Sequence, residues 1–305
     1  MSFIALDEGM LQGLRHRRYA GEGIKAMAAE LGLSWQKLDK AIRNGLPTGP
    51  RRRRASSPTN DPTGLDRESQ EAIMALLGGA SGQPLPLTER YRPRDLATIL
   101  GQPKVVKALQ AFTRNPYSAA FLFEGETGTG KTSTAVALAA ALGCQVDQAD
   151  FGGVTQVASG EQTAANVQET CQQLHNRPLL GSGWRVVIVN EADKMTPGAE
   201  AIWLDRLEQL PRQTVVIFTT NFTERLPQRF LDRCQRLKFD HDPKRLSNLG
   251  SEFLKAVYLR EAQKLPPPGL IEGIVKDVTQ HGEFSFRRAL QLLTPHVQCV
   301  KGDAL

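Results

Sequence analysis

Eight consecutive residues, Gly125, Glu126, Thr127, Gly128, Thr129, Gly130, Lys131 and Thr132, set three glycines, a lysine and a terminal hydroxyl in the spacing GxxxxGK[ST]. Glycine lacks a Cβ, so such a loop can wrap an anion closely with successive N–H groups turned inward. The apolar run FLFE precedes the loop and STAVALAAAL follows it, a strand and then a helix. The helix N-terminus therefore adds its partial positive charge to the same cradle. This is the chemistry of a polyphosphate site. Lys131 is placed to reach the β- and γ-phosphates and Thr132 to offer its hydroxyl to Mg²⁺, so ATP and Mg are the expected ligands.

Two further strand-like runs end in polar residues. RVVIVNEAD ends in Asn190-Glu191. In P-loop ATPases this position carries an acid that holds the magnesium shell, followed by a glutamate that activates water. Glu191 stands where that base belongs, but Asn190 replaces the acid. An amide can hydrogen-bond a magnesium-bound water, yet it brings no charge. Slow turnover of Mg·ATP and ATP binding as a structural switch are both open, and Asp193 is a candidate substitute for the acid. The third run, TVVIFTTN, ends in Asn221. Adjacent parallel strands end at one edge of a sheet, which puts Asn221 beside the γ-phosphate, where it could orient the attacking water. A turn-capping asparagine is the plainer alternative.

To hold three strand ends together the chain needs a parallel sheet covered by helices. Strand runs at 119–123, 185–189 and 214–219 alternate with helical segments in that βαβ rhythm. The expected fold is an α/β three-layer P-loop domain over 87–240, then a helical lid over 241–305. Before it come a helix-turn-helix-like domain over 1–48 and a basic, flexible linker over 49–86. The linker contains one amphipathic helix over 65–77, closed by Gly78-Gly79.

The segments ERYRPRDLATILGQPKVVKAL, the phosphate loop, NEAD, TTN and DRCQ follow one another in a family order. Over roughly 87–295 the chain resembles the clamp-loader clade of AAA+ ATPases, in particular the small subunits of replication factor C. By that resemblance Tyr91, Arg92 and Pro93, in the EKYRP-like start, join the nucleotide site, and Gly101-Gln102 corresponds to a Gly-Gln box. Asp232-Arg233-Cys234 corresponds to an SRC motif, which would make Arg233 an arginine finger in a neighbouring subunit's ATP site. EFSFRRALQLL resembles the second sensor, with Arg287 over the γ-phosphate and Arg288 facing outward. The pattern departs from the family at Asn190 and at Asp232, and a collar after the lid is not expected. The branch-migration motors of recombination share the YRPR…GQ start, but their C-terminal winged helix has no counterpart here.

The net charge of +6 lies entirely in the first fifth of the chain, where residues 1–60 hold three Lys and eight Arg against five acids. Within 23–44, Ile24, Met27, Ala28 and Leu31 recur at helical spacing, Gly32 breaks the pattern, and Leu33, Leu38 and Ile42 resume it. A helix-turn-helix capped by Ser34 would present Ser34, Gln36, Lys37, Lys40 and Arg43 to DNA, with Arg51, Arg52, Arg53 and Arg54 adding phosphate contacts. A small bundle for protein docking fits the same spacing.

Cys144, Cys171, Cys234 and Cys299 are scattered and form no CxxC pair, as free thiols in a reducing compartment would be. No run is long enough to span a bilayer, and MSFIALDEGM lacks the order of a signal peptide. These features lead to an expectation of a cytoplasmic, nucleoid-associated ATPase that forms a homo-oligomeric ring or filament on DNA. Partner subunits or a sliding clamp are further candidates as partners. The competing expectation is a DNA-binding regulator or adaptor that uses ATP as an assembly signal.

Overall fold

The computed structural model describes residues 65–79, 85–148, 151–280 and 284–302, all within one compact unit, Pro62–Leu305. The expected helix-turn-helix, with Ser34, Gln36, Lys37, Lys40 and Arg43, and the arginine run after it lie outside the described residues. In chain order the elements are α1 (Arg67–Gly79), α2 (Leu87–Arg90), α3 (Pro103–Arg114), β1 (Ala119–Glu124) and α4 (Lys131–Ala141). Next come β2 (Val154–Val157), α5 (Ala164–Gln173), β3 (Arg185–Val189), α6 (Pro197–Glu208) and β4 (Thr214–Thr220). Then follow α7 (Gln228–Leu231), β5 (Gln235–Lys238), α8 (Pro243–Ala262), α9 (Leu270–Thr279) and α10 (Phe286–Gly302).

Among the described residues the strands form one parallel sheet of five, ordered β2-β3-β4-β1-β5. Successive side chains of a strand point to opposite faces, and here both faces are covered. Phe121, Phe123, Val186, Ile188, Val215 and Ile217 pack into the layer of α3 and α4. Ala120, Leu122, Val187, Val189, Val216 and Phe218 pack into the layer of α5 and α6. This explains why these three strands are almost uninterrupted apolar runs. Next to β1 the strand order jumps, and a crevice opens there beyond the carboxyl ends of the strands.

Two strands differ from expectation. β2 and β5 are edge strands of four residues, and β5 (QRLK) is largely exposed, so neither carries an apolar run. α1 also departs from the sequence reading. Its end is Gly79, so the glycine pair prolongs the helix, and it packs on the lid as part of the unit. Ala72, Ile73, Leu76 and Leu77, on one face, share a core with Tyr91 and with Leu246, Phe253, Tyr258, Ile274 and Leu293 of α8–α10.

The junction between sheet and lid is pinned by Gln102, which is buried. Its amide donates to the Asp240 carbonyl at 2.9 Å, and its side-chain oxygen accepts from the Asp240 N–H at 2.7 Å. Gly101, at φ +73°, sits so close to Leu246 that a Cβ would come 2.5 Å from Cδ2. The Gly-Gln pair thus fixes where the lid begins. No helix among the described residues is long and apolar enough to cross a membrane.

Gly250 of α8 lies against Phe284, and an added Cβ would sit 2.0 Å from the ring. Overpacking of this kind costs about 1–3 kcal/mol. Gly250→Ala is therefore expected to lower the calorimetric melting temperature by several degrees, at ~2–4 °C per kcal/mol. An unchanged melting temperature would contradict this packing.

Candidate nucleotide-binding site

At the C-terminal edge of the sheet lies a cleft of about 410 Å³ between the phosphate loop and the lid. Lys131 begins α4 and is only 8% exposed. A buried ammonium needs oxygen partners. Its Nζ donates to the carbonyls of Gly125 and Glu126, both at 2.7 Å, and to Oδ1 of Asn221 at 2.8 Å. Asn221 in turn donates through Nδ2 to the Thr127 hydroxyl at 2.9 Å. Loop, helix start and the end of β4 are thereby tied at one point. Gly130 caps α4 at φ +95°, a left-handed conformation that glycine adopts without strain.

Thr127, Gly128, Thr129, Gly130, Lys131 and Thr132 line the cleft, as do Asn190, Glu191 and Asn221. Gly125 and Glu126 act instead through their carbonyls on Lys131. The Thr132 hydroxyl donates to Oδ1 of Asn190 at 3.0 Å. This juxtaposes two neutral oxygens of the type that suits Mg²⁺, a cation that takes few protein ligands besides phosphate and water. Among the described residues no cluster of three His, Cys, Asp or Glu could serve as a separate metal site.

Glu191 adopts φ +56° and donates its N–H to the Thr219 hydroxyl at 3.2 Å. Its carboxylate pairs with Lys194 at 2.5 Å. That hydrogen bond, and then one from Ser159, hold its carboxyl below the usual range, so it is ionised at neutral pH. Asp193 is not a substitute for the missing acid. It accepts from the Thr220 hydroxyl at 2.7 Å, faces Arg225, and does not line the cleft.

Much of the remaining lining of the cleft is apolar. Leu76, Ile99, Leu100, Phe253, Phe286 and Leu290 line it together with the segment 88–93 that holds Tyr91, Arg92 and Pro93. Sequence reasoning missed all six of these apolar residues, because each occupies a position that looks like ordinary core. Tyr91 is also an anchor. Its hydroxyl donates to Glu261 Oε1 at 2.8 Å, and Arg90 pairs with Glu261 Oε2 at 2.5 Å, both groups of that pair being nearly buried. Burial, and then the bond to Glu261, keep the Tyr91 hydroxyl protonated far above the ordinary tyrosine range.

Arg287 lines the cleft from the first turn of α10, while Arg288 turns away to pair with Asp277 at 3.3 Å. Arg233 follows α7 and does not line its own cleft. It pairs with Glu208 of α6 and donates to the Arg229 carbonyl at 2.7 Å.

Sheet order, phosphate loop and helical lid together define an AAA+ P-loop domain. Residues 101–243 match the family model described as DNA polymerase III, delta subunit. The chain is 29% identical over 157 residues to the replication factor C small subunit of Archaeoglobus fulgidus, covering 51% of this chain and 49% of that protein. Its identity to the Thermofilum pendens replication factor C small subunit is 26% over 213 residues, covering 67% of this chain and 60% of that one. It thus spans about half to three-fifths of the length of these curated relatives. A solved structure of the Thermotoga maritima RuvB Holliday junction branch migration motor superposes with a TM-score of 0.51 at 18% identity, over 70% of this chain and 67% of that one. The described unit therefore has an AAA+ fold similar to that motor, and its sequence resembles the clamp-loader clade.

Glu261 holds two groups, so its loss should cost more than the loss of either hydrogen bond alone. Removing one member of a buried ion pair costs about 3–5 kcal/mol, whereas a single net hydrogen bond is worth about 1 kcal/mol. Glu261→Ala should therefore depress the melting temperature several times more than Tyr91→Phe. Equal small shifts in thermal melts would remove Glu261 as the anchor.

Proposed function

We propose that this chain is a DNA-associated AAA+ ATPase that binds Mg·ATP in the cleft and assembles on DNA as a ring or filament, with Arg233 of one copy completing the site of the next. The carrying observation is the convergence of Lys131, the Thr132–Asn190 pair, Glu191 and Asn221 at one end of the cleft, while Arg233 stands outside it. In this reading phosphate oxygens take over the Lys131 contacts now made by loop carbonyls, and Arg287 closes over the γ-phosphate from the lid. Thr132 and Asn190 would hold Mg²⁺, which neutralises charge on the β- and γ-phosphates. Asn221 orients water, and Glu191 takes its proton. The names of the relatives favour a role in replication, with partner subunits or a sliding clamp as further partners.

The basic region over 1–48, with Ser34, Gln36, Lys37, Lys40 and Arg43, and the following arginines would supply the DNA contacts, in a cytoplasmic, nucleoid-associated protein. In this reading the domains are 1–48, 49–86, 87–240 and 241–305, with α1 working alongside the lid. A second reading has a specific observation in its favour. Asn190 brings no charge, and a carboxylate held low by Lys194 is a weak base, so ATP could serve chiefly as the assembly signal of a DNA-binding adaptor.

ATP hydrolysis measured alone and with duplex, single-stranded and primer–template DNA separates these readings. Primer–template stimulation supports a clamp-loader-like motor, and duplex stimulation supports a DNA-coating ATPase. Tight ATP binding without turnover would leave only the switch. Arg233→Ala should lower the rate of the assembled protein roughly 10³-fold, and normal hydrolysis by the assembled variant would remove the shared-site reading. Asn190→Asp restores a charged oxygen beside Thr132 and should raise the magnesium-dependent rate, whereas an unchanged rate would show that Asn190 does not limit turnover.

A further inference from the structure

We infer that α1 walls the apolar part of the cleft and that Leu76 is a packing contact for a flat aromatic base. The inference rests on the nucleotide reading above and extends the site to an element that precedes the sheet domain. Leu76 is 6% exposed and lines the cleft with Ile99, Leu100, Phe253 and Leu290. These apolar side chains themselves offer no partner for phosphate and suit the faces of a heteroaromatic ring. The neighbouring Thr88 and Glu89 supply the polar groups that can meet the ring's edge.

α1 is held from two sides. Arg260 of α8 donates to the Leu77 carbonyl, and Lys107 of α3 pairs with Glu68 at 3.1 Å. The helix therefore spans the lid and the sheet domain, and the base would sit where it bridges them. A base packed on Leu76 stabilises the arrangement in which α1 touches both. By reciprocity, whatever displaces α1 weakens nucleotide binding. The opposite face of the helix is solvent-facing, with Met74 69% exposed. Leu77 is buried in the lid core without lining the cleft. One helix thus offers a base-contacting position, a purely structural one and an exposed one.

The experiment compares the full chain with Leu76→Ala, Leu76→Val, Leu77→Ala and Met74→Ala, each confirmed folded by circular dichroism at the working temperature. Affinities for ATP and for inorganic tripolyphosphate are measured by calorimetry. Losing most of one aliphatic side chain from a base contact should weaken ATP about tenfold in Leu76→Ala and about threefold in Leu76→Val, while leaving tripolyphosphate within about twofold. Leu77→Ala should lower the melting temperature as much as Leu76→Ala yet keep the wild-type ATP affinity, and Met74→Ala should change neither. Leu76 variants that bind ATP like wild type overturn the inference. So does an equal loss for ATP and tripolyphosphate, which would mean damage reaching the phosphate loop. A wild-type chain that binds neither ligand would overturn the nucleotide reading and this extension with it. Wild-type binding with unchanged Leu76 variants would overturn the extension alone.

Discussion

The arrangement depends on one buried positive charge. The ammonium of Lys131 sits at the start of α4 with little access to water, and such a group is tolerable only where oxygens surround it. The glycine loop supplies two carbonyls and the end of β4 supplies the Asn221 amide oxygen. That requirement links the shape of the loop to the position of a strand far away in sequence. It also makes the site responsive, because a phosphate can replace neutral oxygens with charged ones without leaving the ammonium unsatisfied.

Around that point the chain immediately before the sheet works as a belt. Arg90 and Tyr91 grip Glu261 near the end of α8, and Gln102 grips the backbone of Asp240 before its start. Both ends of the longest lid helix are thus tied to a short stretch of sequence. Between the two anchors, Ile99 and Leu100 face the apolar end of the cleft. Geometry at the apolar part of the cleft is therefore set by the same contacts that orient the lid over the phosphate loop.

What could be read in the sequence divides along the same physical lines. β1, β3 and β4 were legible because strands buried on both faces must be apolar throughout. β2 and β5 were not, since an edge strand of four residues can be half polar and still pair. The phosphate loop was legible because its chemistry is local, with strand, turn, lysine and hydroxyl in one run. The apolar end of the cleft was illegible for the opposite reason. Leu76, Phe253 and Leu290 come from three different helices, and no local pattern separates a cleft-lining leucine from a core one. Asp193 shows the limit for charged groups. Its position in the sequence allowed a metal role, but burial against Thr220 and Arg225 directs it elsewhere.

The sheet order has a consequence for how the molecule is made. β1 pairs with β4 on one side and β5 on the other, and both are synthesised well after it. Phe121 cannot meet its neighbour until Ile217 has emerged, so β1, apolar from Ala119 to Phe123, waits with both edges open. Such long-range parallel pairing is slow and leaves strand edges exposed to other chains. Asn221 belongs to the same late segment, so the lysine cradle closes only when the sheet does. On the proposed nucleotide reading, a nucleotide present during synthesis would favour the finished sheet over its misassembled competitors.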